Sequence, residues 1–570
     1  MDIKEQANFI WSIADLLRGN FKQSEYGKVI LPFTVLRRFD CVLAPSKEEI
    51  LERNKSLAVS NKAPIFKKYT GHDYYNVSKF DFEKLIDDSN NIDTNLKDYI
   101  NGFSDDVKEI LDNFEIATII EKLKKAGLLY LVVQKFSEIN LGADTIDNLE
   151  MGYMFEELIR KFSEQSNETA GEHFTPREVI ELMVEVLLDA NLDEITTTDG
   201  KVITILDPAC GTGGMLSIAQ NQIRALNSRT TVVPFGQELN PETYATCKSD
   251  MILKNNTNSK IVFGNSFSED GFREQKFDYI LSNPPFGVEW KKVKNFIENE
   301  SKHKGYDGRF GAGTPRISDG SLLFLQHMIS KMQPIEKGGS RIGIVFNGSP
   351  LFTGDAGSGE SEIRKWIIEK DLLEAVIGLP DQLFYNTGIS TYVWILTNRK
   401  TDRRKGKIRL INGTSFFGKM RKSLGNKRNE ITESDRKEIV RLYSTYEHDE
   451  NYIDFDNDDF GYRKITIERP LYDENREVVV EKGNPKPNSK LRDTETVPFK
   501  EDIHEYFKRE VLPHVPDAWI DEKKTKIGYE IPFTRHFYKF TPLRESSVIL
   551  DEIKQLEEKI QKSLNELFKG

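Results

Sequence analysis

The sequence predicts an α/β protein built on a seven-stranded, doubly wound, mostly parallel sheet, with a helical domain before it and a helical tail after it. Seven short apolar runs alternate with helical stretches between residues 202 and 398, at 202–206, 230–235, 260–263, 277–282, 341–347, 372–379 and 391–397. Strands that alternate with helices imply a parallel sheet covered on both faces. The run at 277–282 is apolar through most of its length, as expected for a strand buried on both faces.

The chain is long enough for several domains. Its 570 residues, 38% of them hydrophobic, suggest roughly three or four domains. We expect a helical domain over 1–145, a catalytic domain over 146–415, an irregular, charged extension over 416–545 and a coiled-coil-like helix over 546–570. That last helix repeats apolar residues at intervals of three and four, which favours packing on another helix or on its own chain: Ile549, Ile553, Leu556, Ile560, Leu564 and Leu567.

Composition narrows the class of protein. Three cysteines without regular spacing predict neither a zinc site nor a disulfide framework. Residues 1–20 carry acids and do not form a secretory signal, and no apolar run approaches a membrane span, so we expect a soluble cytoplasmic protein.

A net charge of −11 disfavours autonomous DNA binding. The basic, glycine-containing segment at 291–316 predicts a mobile loop over bound DNA or a solvated surface loop, and the basic run at 399–407 predicts an exposed hairpin.

A glycine-rich loop follows the first predicted strand. Residues 207–214 read Asp-Pro-Ala-Cys-Gly-Thr-Gly-Gly, and a helical stretch begins at Met215. Glycines at the carboxyl end of a parallel strand let the backbone approach a ligand closely. The loop lacks both the phosphate-binding lysine motif and the dinucleotide glycine spacing, which disfavours ATP and NAD. A cofactor without phosphates fits better.

Polar side chains also follow the second and third predicted strands. Glu238 lies where a carboxylate receives the two hydroxyls of a ribose, about 25 residues beyond the glycine loop. Asn265 lies where an amide can contact an adenine edge. Either residue alone is equally consistent with a helix cap. In series with the glycine loop, they predict a binding crevice.

The fourth predicted strand is followed by Asn283, Pro284, Pro285 and Phe286. An adenine or cytosine amine is a poor nucleophile because its lone pair is delocalised into the ring, so a catalyst must hydrogen-bond both amino protons. The Asn283 side chain and the Pro284 backbone supply two carbonyl acceptors. Phe286 offers a flat apolar face for a base swung out of its duplex. The motif indicates methyl transfer to an exocyclic amine, whereas an isolated Asn-Pro-Pro favours a simple turn.

Several segments together resemble the modification subunit of Type I restriction-modification systems, a family of S-adenosylmethionine-dependent DNA adenine-N6 methyltransferases. The resemblance rests on the glycine loop, the NPPF turn and residues 171–179, 351–367 and 378–396. It extends to residues 11–43 and 529–540, so it covers nearly the whole chain. The resemblance implies the methyltransferase fold, base flipping and adenine N6 in duplex DNA as the target.

The resemblance also assigns individual residues. At the lip of the cofactor pocket it places Glu172, His173, Phe174, Thr175, Pro176 and Arg177. Around the cofactor it places Asp207, Gly211, Thr212, Gly213, Gly214, Glu238 and Asn265, although related enzymes often carry Asp at the position of Asn265. Asn283 becomes the amine acceptor and Phe286 the base platform. The implied partners are duplex DNA, a specificity subunit that reads the target and holds two copies of this chain, and an ATP-driven restriction subunit.

Two other classes of protein remain open. Enzymes that methylate a structured RNA base or a protein glutamine share the amine chemistry, but they lack the long helical front and the helical tail. A non-catalytic assembly subunit with a degenerate pocket is the other alternative, and the intact Asn283 and glycine loop argue against it. Cytosine C5 methylation usually requires a Pro-Cys nucleophile, and none of Cys41, Cys210 and Cys247 follows a proline.

Overall fold

The computed structural model describes residues 3–57, 61–166, 175–198, 200–254, 256, 258–385, 387–424, 426–538 and 545–567. The chain divides into two compact units, Met1–Ile531 and Pro532–Gly570. Among the described residues, no helix is long and apolar enough to cross a lipid bilayer.

The first unit begins with the predicted helical region. Its central helix, α2, is buried along most of its length and contains Phe33, Leu36 and Phe39, all without exposed surface. Arg38 is buried beside them because its guanidinium donates to backbone carbonyls, including that of Ile146 at 2.8 Å. The helices are α1 Ile3–Leu17, α2 Tyr26–Leu43, α3 Lys47–Ser56, α4 Ala63–Thr70, α5 Phe82–Ile86, α6 Ile92–Asn101, α7 Asp105–Asn113, α8 Ile116–Lys125 and α9 Leu129–Ser137.

A mixed nine-stranded sheet forms the centre of the first unit, and all seven predicted strands are confirmed. The strand order is β11-β8-β6-β7-β5-β4-β1-β2-β3, with β7 antiparallel to both β5 and β6. The strands of this part of the chain are β1 Val202–Asp207, β2 Thr231–Glu238, β3 Lys260–Phe263, β4 Tyr279–Ser282, β5 Arg341–Asn347, β6 Leu373–Gly378, β7 Thr391–Thr397, β8 Lys407–Asn412, β9 Gly418–Leu424, β10 Lys427–Glu430 and β11 Tyr452–Asp456. Strands β9 and β10 form a separate antiparallel pair.

Helices cover the sheet. Met183 and Leu187 of α11 approach Gly343 of β5 so closely that a side chain at Gly343 would meet them at 3.3 and 3.1 Å. Glycine in the middle of this strand therefore permits tight packing of helix on sheet. The helices are α10 Asn148–Ser166, α11 Arg177–Asp189, α12 Leu192–Thr197, α13 Gly214–Leu226, α14 Pro241–Leu253, α15 Lys294–Lys304, α16 Ser321–Ser330, α17 Ser349–Phe352, α18 Gly359–Glu369 and α19 Glu433–Ser444.

The hairpin predicted at 399–407 is wrong, although residues 401–403 and 405–407 are exposed as predicted, and the main sheet has nine strands instead of seven. The following strand, β8, pairs in parallel with β6, and β11 pairs antiparallel with β8. Lys400 is buried because its ammonium reaches Asp371 at 2.6 Å, and Arg409 is buried because it pairs with Asp454 at 2.7 Å. Acidic partners contributed by other parts of the chain thus bury single cations beside β8 and within it.

The segment at 291–316, predicted as a mobile or a solvated surface loop, is a loop in its second part only. Its first part forms α15, and Trp290, Ile297 and Phe310 are buried in a local apolar cluster. Arg309 binds Glu300 at 2.7 Å and donates to the backbone carbonyl of Phe267 at 2.6 Å. The segment is therefore fastened to the loop after β3.

The extension after β11 is not irregular, as the sequence suggested, because it contains a second antiparallel sheet. Strand β12 lies at its centre and pairs with β15, β16 and β17. The extension contains β12 Gly461–Glu468, β13 Val480–Glu481, β14 Asn484–Pro485, β15 Asp493–Pro498, α20 Ile503–Tyr506, β16 Trp519–Ile520 and β17 Lys526–Tyr529. The second unit contains α21 Phe533–Phe537 and α22 Ser546–Leu567.

Candidate active site

The predicted crevice lies where the strand order of the main sheet reverses. Strand β1 has β2 on one side and β4 on the other, and all three are parallel. Their carboxyl ends therefore share one edge of the sheet. Open α/β sheets bind ligands at such a reversal point. The loops after β1, β2, β3 and β4 carry most of the residues that the sequence singles out.

The glycine loop after β1 leaves open space at one glycine and packs tightly at another. Gly211 has φ +52°, and a Cβ added there would meet no atom within 4 Å. Gly213 has φ +86°, and a Cβ there would lie 2.7 Å from the sulfur of Cys247. Gly213 is thus required for the packing of the loop on α14, whereas the space in front of Gly211 is open.

Glu238 ties the glycine loop to the end of β2. One carboxylate oxygen accepts the Gly211 N–H at 2.8 Å and the other accepts the Asn240 N–H at 2.7 Å. The Cys210 N–H donates to the Gln237 carbonyl at 3.1 Å. These bonds hold the Glu238 carboxylate beside Gly211, and a carboxylate is the group that suits ribose hydroxyls as an acceptor.

Asp207, the first residue of the motif, is buried beneath the loop. Its Oδ1 accepts the Ala209 N–H at 3.0 Å and the Ser282 hydroxyl at 2.9 Å. Burial raises the pKa of this carboxyl to about 7. Asp207 therefore shapes the crevice by joining the ends of β1 and β4. The sequence analysis missed this contact of Ser282, although a polar residue at the end of an apolar strand was a usable signal.

Asn265 lies in a tight turn after β3. Its side-chain carbonyl accepts the N–H groups of Phe267 at 2.9 Å and Ser268 at 3.3 Å. The neighbouring Ser266 hydroxyl donates to the Pro208 carbonyl at 2.5 Å, which joins this turn to the glycine loop. Because the Asn265 carbonyl caps the turn, its NH₂ is the group suited to reach a ligand, and it does so as a donor.

Asn283 follows β4 at the same edge. Its side-chain NH₂ donates to the hydroxyl of Thr175 at 2.8 Å. Pro284 is buried and Pro285 is half-buried. The ring of Phe286 is only 6% exposed and belongs to the core under the crevice. The structure thus brings Asn283 to the crevice, but it does not present the Phe286 face in this state.

The remaining predicted residues fall into two groups. Glu172, His173 and Phe174 lie outside the described residues. Thr212 is half-buried in the glycine loop, Gly214 is the first residue of α13, and Pro176 precedes α11. Arg177 pairs with Glu181 at 2.9 Å and lies over the ring of Tyr153 at 4.4 Å. Its guanidinium is therefore engaged by neighbouring side chains.

Two thiols lie directly behind the loop. The sulfurs of Cys210 and Cys247 are 4.0 Å apart, and both residues are buried. Their mutual hydrogen bond and burial raise the pKa of Cys210 well above its ordinary value. The thiol therefore stays protonated at neutral pH and is unsuited to nucleophilic attack.

The strand order defines the class of protein. An antiparallel β7 between β5 and β6, next to a parallel β4-β1-β2-β3 half, is the topology of the S-adenosylmethionine-dependent methyltransferase fold. A family model described as N-6 DNA Methylase matches residues 147–460, and the chain belongs to that family. A model described as HsdM N-terminal domain matches residues 6–136.

Individual relatives agree with this assignment. The chain is 26% identical to the Type I restriction enzyme MjaIX methylase subunit of Methanocaldococcus jannaschii over 487 residues, 81% of this chain and 80% of the relative. It is 31% identical to the HindI methylase subunit of Haemophilus influenzae over 280 residues, 48% and 55% of the two chains. The crystal structure of a type I restriction-modification methyltransferase subunit from Streptococcus thermophilus shares the fold, with TM-score 0.64, 22% identity, and coverage of 81% of this chain and 97% of that one.

Proposed function

We propose that this chain is the catalytic subunit of a site-specific DNA methyltransferase that transfers the methyl group of S-adenosylmethionine to adenine N6 in duplex DNA. The observation that carries the proposal is the position of Asn283 at the end of β4, beside a β1 loop that opens at Gly211. A methyl donor in the loop and an amine acceptor on the next strand thereby share one crevice. Membership of the N-6 DNA methylase family supports adenine as the base.

The residues of the crevice fit S-adenosylmethionine. The cofactor carries no phosphate, in agreement with a glycine loop that lacks a phosphate-binding lysine. Gly211 gives room for close approach, Glu238 suits the ribose hydroxyls, and Asn265 offers an NH₂ to a ring nitrogen of the adenine. Thr212, Gly213 and Gly214 are assigned to the methionine part by resemblance. When bound, the cofactor supplies an electrophilic methyl group on sulfur.

The protein's part in the reaction is to prepare the amine. The carbonyls of Asn283 and Pro284 accept the two amino protons, which lets the nitrogen pyramidalise and expose its lone pair. The amine releases one of its protons to solvent when it is methylated. No side-chain nucleophile is needed. Phe286 is the proposed platform for the extruded base, and its burial requires its neighbours to move aside when the base enters.

Target recognition is proposed to come from partner subunits. The net charge of −11 weighs against duplex binding by this chain alone, because duplex affinity rests largely on neutralising phosphates. By resemblance, a specificity subunit reads the DNA and holds two copies of this chain, and an ATP-dependent restriction subunit joins the assembly. The apolar residues of α22 are the proposed contact to the specificity subunit.

The decisive experiment combines this chain with the specificity subunit encoded beside it, labelled S-adenosylmethionine and unmethylated DNA. We expect label in N6-methyladenine at a defined sequence, and little or none with this chain alone. Label in RNA, in protein glutamine or in cytosine would refute the proposed target. Robust site-specific methylation by the isolated chain would refute the dependence on a partner.

Two variants in that assay separate the proposed roles. Asn283→Ala should lower the rate by a factor of 100 or more, on the order of 3 kcal/mol, because a transition-state acceptor is lost. Its affinity for S-adenosylmethionine, measured by calorimetry, should stay within about twofold of wild type. Glu238→Ala should chiefly weaken cofactor binding. Asn295→Ala, an exposed asparagine of α15, is the matched control. Equal losses of binding and rate in both variants would contradict the roles.

A further inference from the structure

The side chains of Thr175 and Asn283 make a direct hydrogen bond between two parts of the chain that are far apart in sequence. The Asn283 NH₂ donates to the Thr175 hydroxyl at 2.8 Å across a separation of 108 residues. Thr175 comes from the segment that precedes α11, and Asn283 comes from the end of β4. The contact therefore joins the lip of the proposed cofactor pocket to the proposed amine acceptor.

The orientation of the Asn283 amide matters because its two ends have opposite chemistry. The carbonyl accepts a hydrogen bond and the NH₂ donates one. An exocyclic amine needs acceptors for its protons, so the amide works only with its carbonyl toward the base. If the Asn283 amide rotated by half a turn about its last side-chain bond, its NH₂ would face the amino group of the base. A partner that receives the Asn283 NH₂ favours the productive orientation.

Thr175 is held firmly enough to act as that partner. Pro176 follows it, and a residue before proline is restricted to extended backbone. A β-branched side chain such as threonine has few rotamers. The helix that follows, α11, is anchored by buried residues on its inner face, among them Val179, Ile180 and Met183. The hydroxyl is thus presented from a fixed support.

We infer that Thr175 is a positioning residue for methyl transfer: its hydroxyl holds the amide of Asn283 with the carbonyl toward the target amine. This inference rests on the proposed function, and it gives Thr175 a role distinct from cofactor contact.

The test compares Thr175→Val, which keeps the shape and removes the hydroxyl, with Thr175→Ser, which keeps the hydroxyl. Both are assayed in the complex with the specificity subunit on unmethylated DNA that carries the mapped site. One neutral hydrogen bond corresponds to roughly a tenfold change in an equilibrium. We therefore expect kcat to fall about tenfold for Thr175→Val, with KM for S-adenosylmethionine and for DNA within about twofold, and near-normal kcat for Thr175→Ser.

Controls separate folding and function from positioning. Thr198→Val replaces an exposed threonine and should change nothing. Thermal unfolding and calorimetric binding of S-adenosylmethionine check that each variant is folded, and Thr175→Ala repeats the measurement should the valine variant not fold. The inference is overturned by a normal kcat in Thr175→Val, by an equal loss in Thr175→Ser, or by a loss carried only by the KM for the cofactor. A wild-type complex that makes no N6-methyladenine overturns the proposed function, and this inference falls with it.

Discussion

Single hydroxyl groups join the loops of the crevice. Ser266 donates to the Pro208 carbonyl at 2.5 Å, Ser282 donates to Asp207 at 2.9 Å, and Thr175 accepts from Asn283 at 2.8 Å. Each bond joins two segments that are far apart in sequence, and each involves a small hydroxyl side chain that no motif of the sequence identifies as such a contact. Small hydroxyls suit this position because they reach a partner without filling the space that a ligand needs.

Asp207 gives a residue-scale prediction on pH. Burial raises its pKa to about 7, whereas an aspartate in an unfolded chain has a pKa of about 3.9. The folded state therefore binds a proton that the unfolded state releases. The stability contributed by this proton is fully present below about pH 4 and is lost as the pH rises through about 7. Asp207→Asn keeps a neutral group and the Oδ1 acceptor in place.

We expect the wild-type melting temperature to fall more steeply than that of Asp207→Asn between about pH 5 and about pH 8, by a few degrees. The measurement is thermal unfolding of both proteins across that range. Asp193→Asn, which replaces an exposed acid of α12, should follow the wild-type curve. Parallel curves for wild type and Asp207→Asn would show that the carboxyl is ionised throughout.

At the scale of elements, the glycine loop after β1 is tightly packed at one glycine and open at another. Gly213 faces the Cys247 sulfur, whereas Gly211 faces open space beside Glu238. A methyl group at Gly211 therefore does not clash with the protein itself. It projects instead into the room proposed for the cofactor.

Gly211→Ala should therefore weaken S-adenosylmethionine binding by about tenfold or more, about 1.4 kcal/mol, while the protein stays folded. The matched control is Gly127→Ala, because Gly127 has a similar φ of +69° and equally open surroundings but lies outside the crevice. Both substitutions carry the cost of a left-handed alanine, roughly 1 kcal/mol. Calorimetric titration and thermal unfolding distinguish the two effects. Unchanged cofactor affinity in Gly211→Ala would place the ligand elsewhere.

The strands that the sequence predicted differ in charge from the strands that it missed. The seven predicted strands are mostly apolar, so they can be recognised from composition, and β5, β6 and β7 among them are almost entirely buried. Strand β8 carries Lys407 and Arg409, and β11 carries Asp454, which makes both segments look solvated. They enter the sheet because Arg409 and Asp454 neutralise each other at 2.7 Å. Such pairing depends on tertiary contacts that periodicity does not contain.

At the scale of the whole molecule, the helical front is joined to the catalytic sheet by polar contacts. Glu109 of α7 accepts from the Tyr244 hydroxyl and from the Lys248 ammonium of α14, both at 2.6 Å. The helix α14 also carries Cys247, which packs behind the glycine loop. The amino-terminal region thus supports the crevice from behind. Sequence motifs predicted which strand ends form the crevice, but this support and the bond from Thr175 to Asn283 depend on the folded chain.

The carboxyl-terminal helix α22 presents an apolar row to solvent. The exposed fractions are 55% for Ile553, 58% for Leu556 and 59% for Ile560. A row of this kind at intervals of three and four suits burial against another helix. Under the proposed function, that helix belongs to the specificity subunit, so charges in the row should impair assembly and leave the cofactor site intact.

We therefore expect the double variant Ile553→Glu with Ile560→Glu to bind S-adenosylmethionine normally and to lose affinity for the specificity subunit by about tenfold or more, because two apolar anchors become charged. Analytical ultracentrifugation of the mixed subunits measures assembly, and calorimetry measures the cofactor. Gln555→Glu with Gln561→Glu adds the same charge outside the apolar row of α22 and should assemble normally. Equal assembly of both double variants would exclude the apolar row as the contact, whereas loss of cofactor binding would mean that α22 supports the catalytic fold itself.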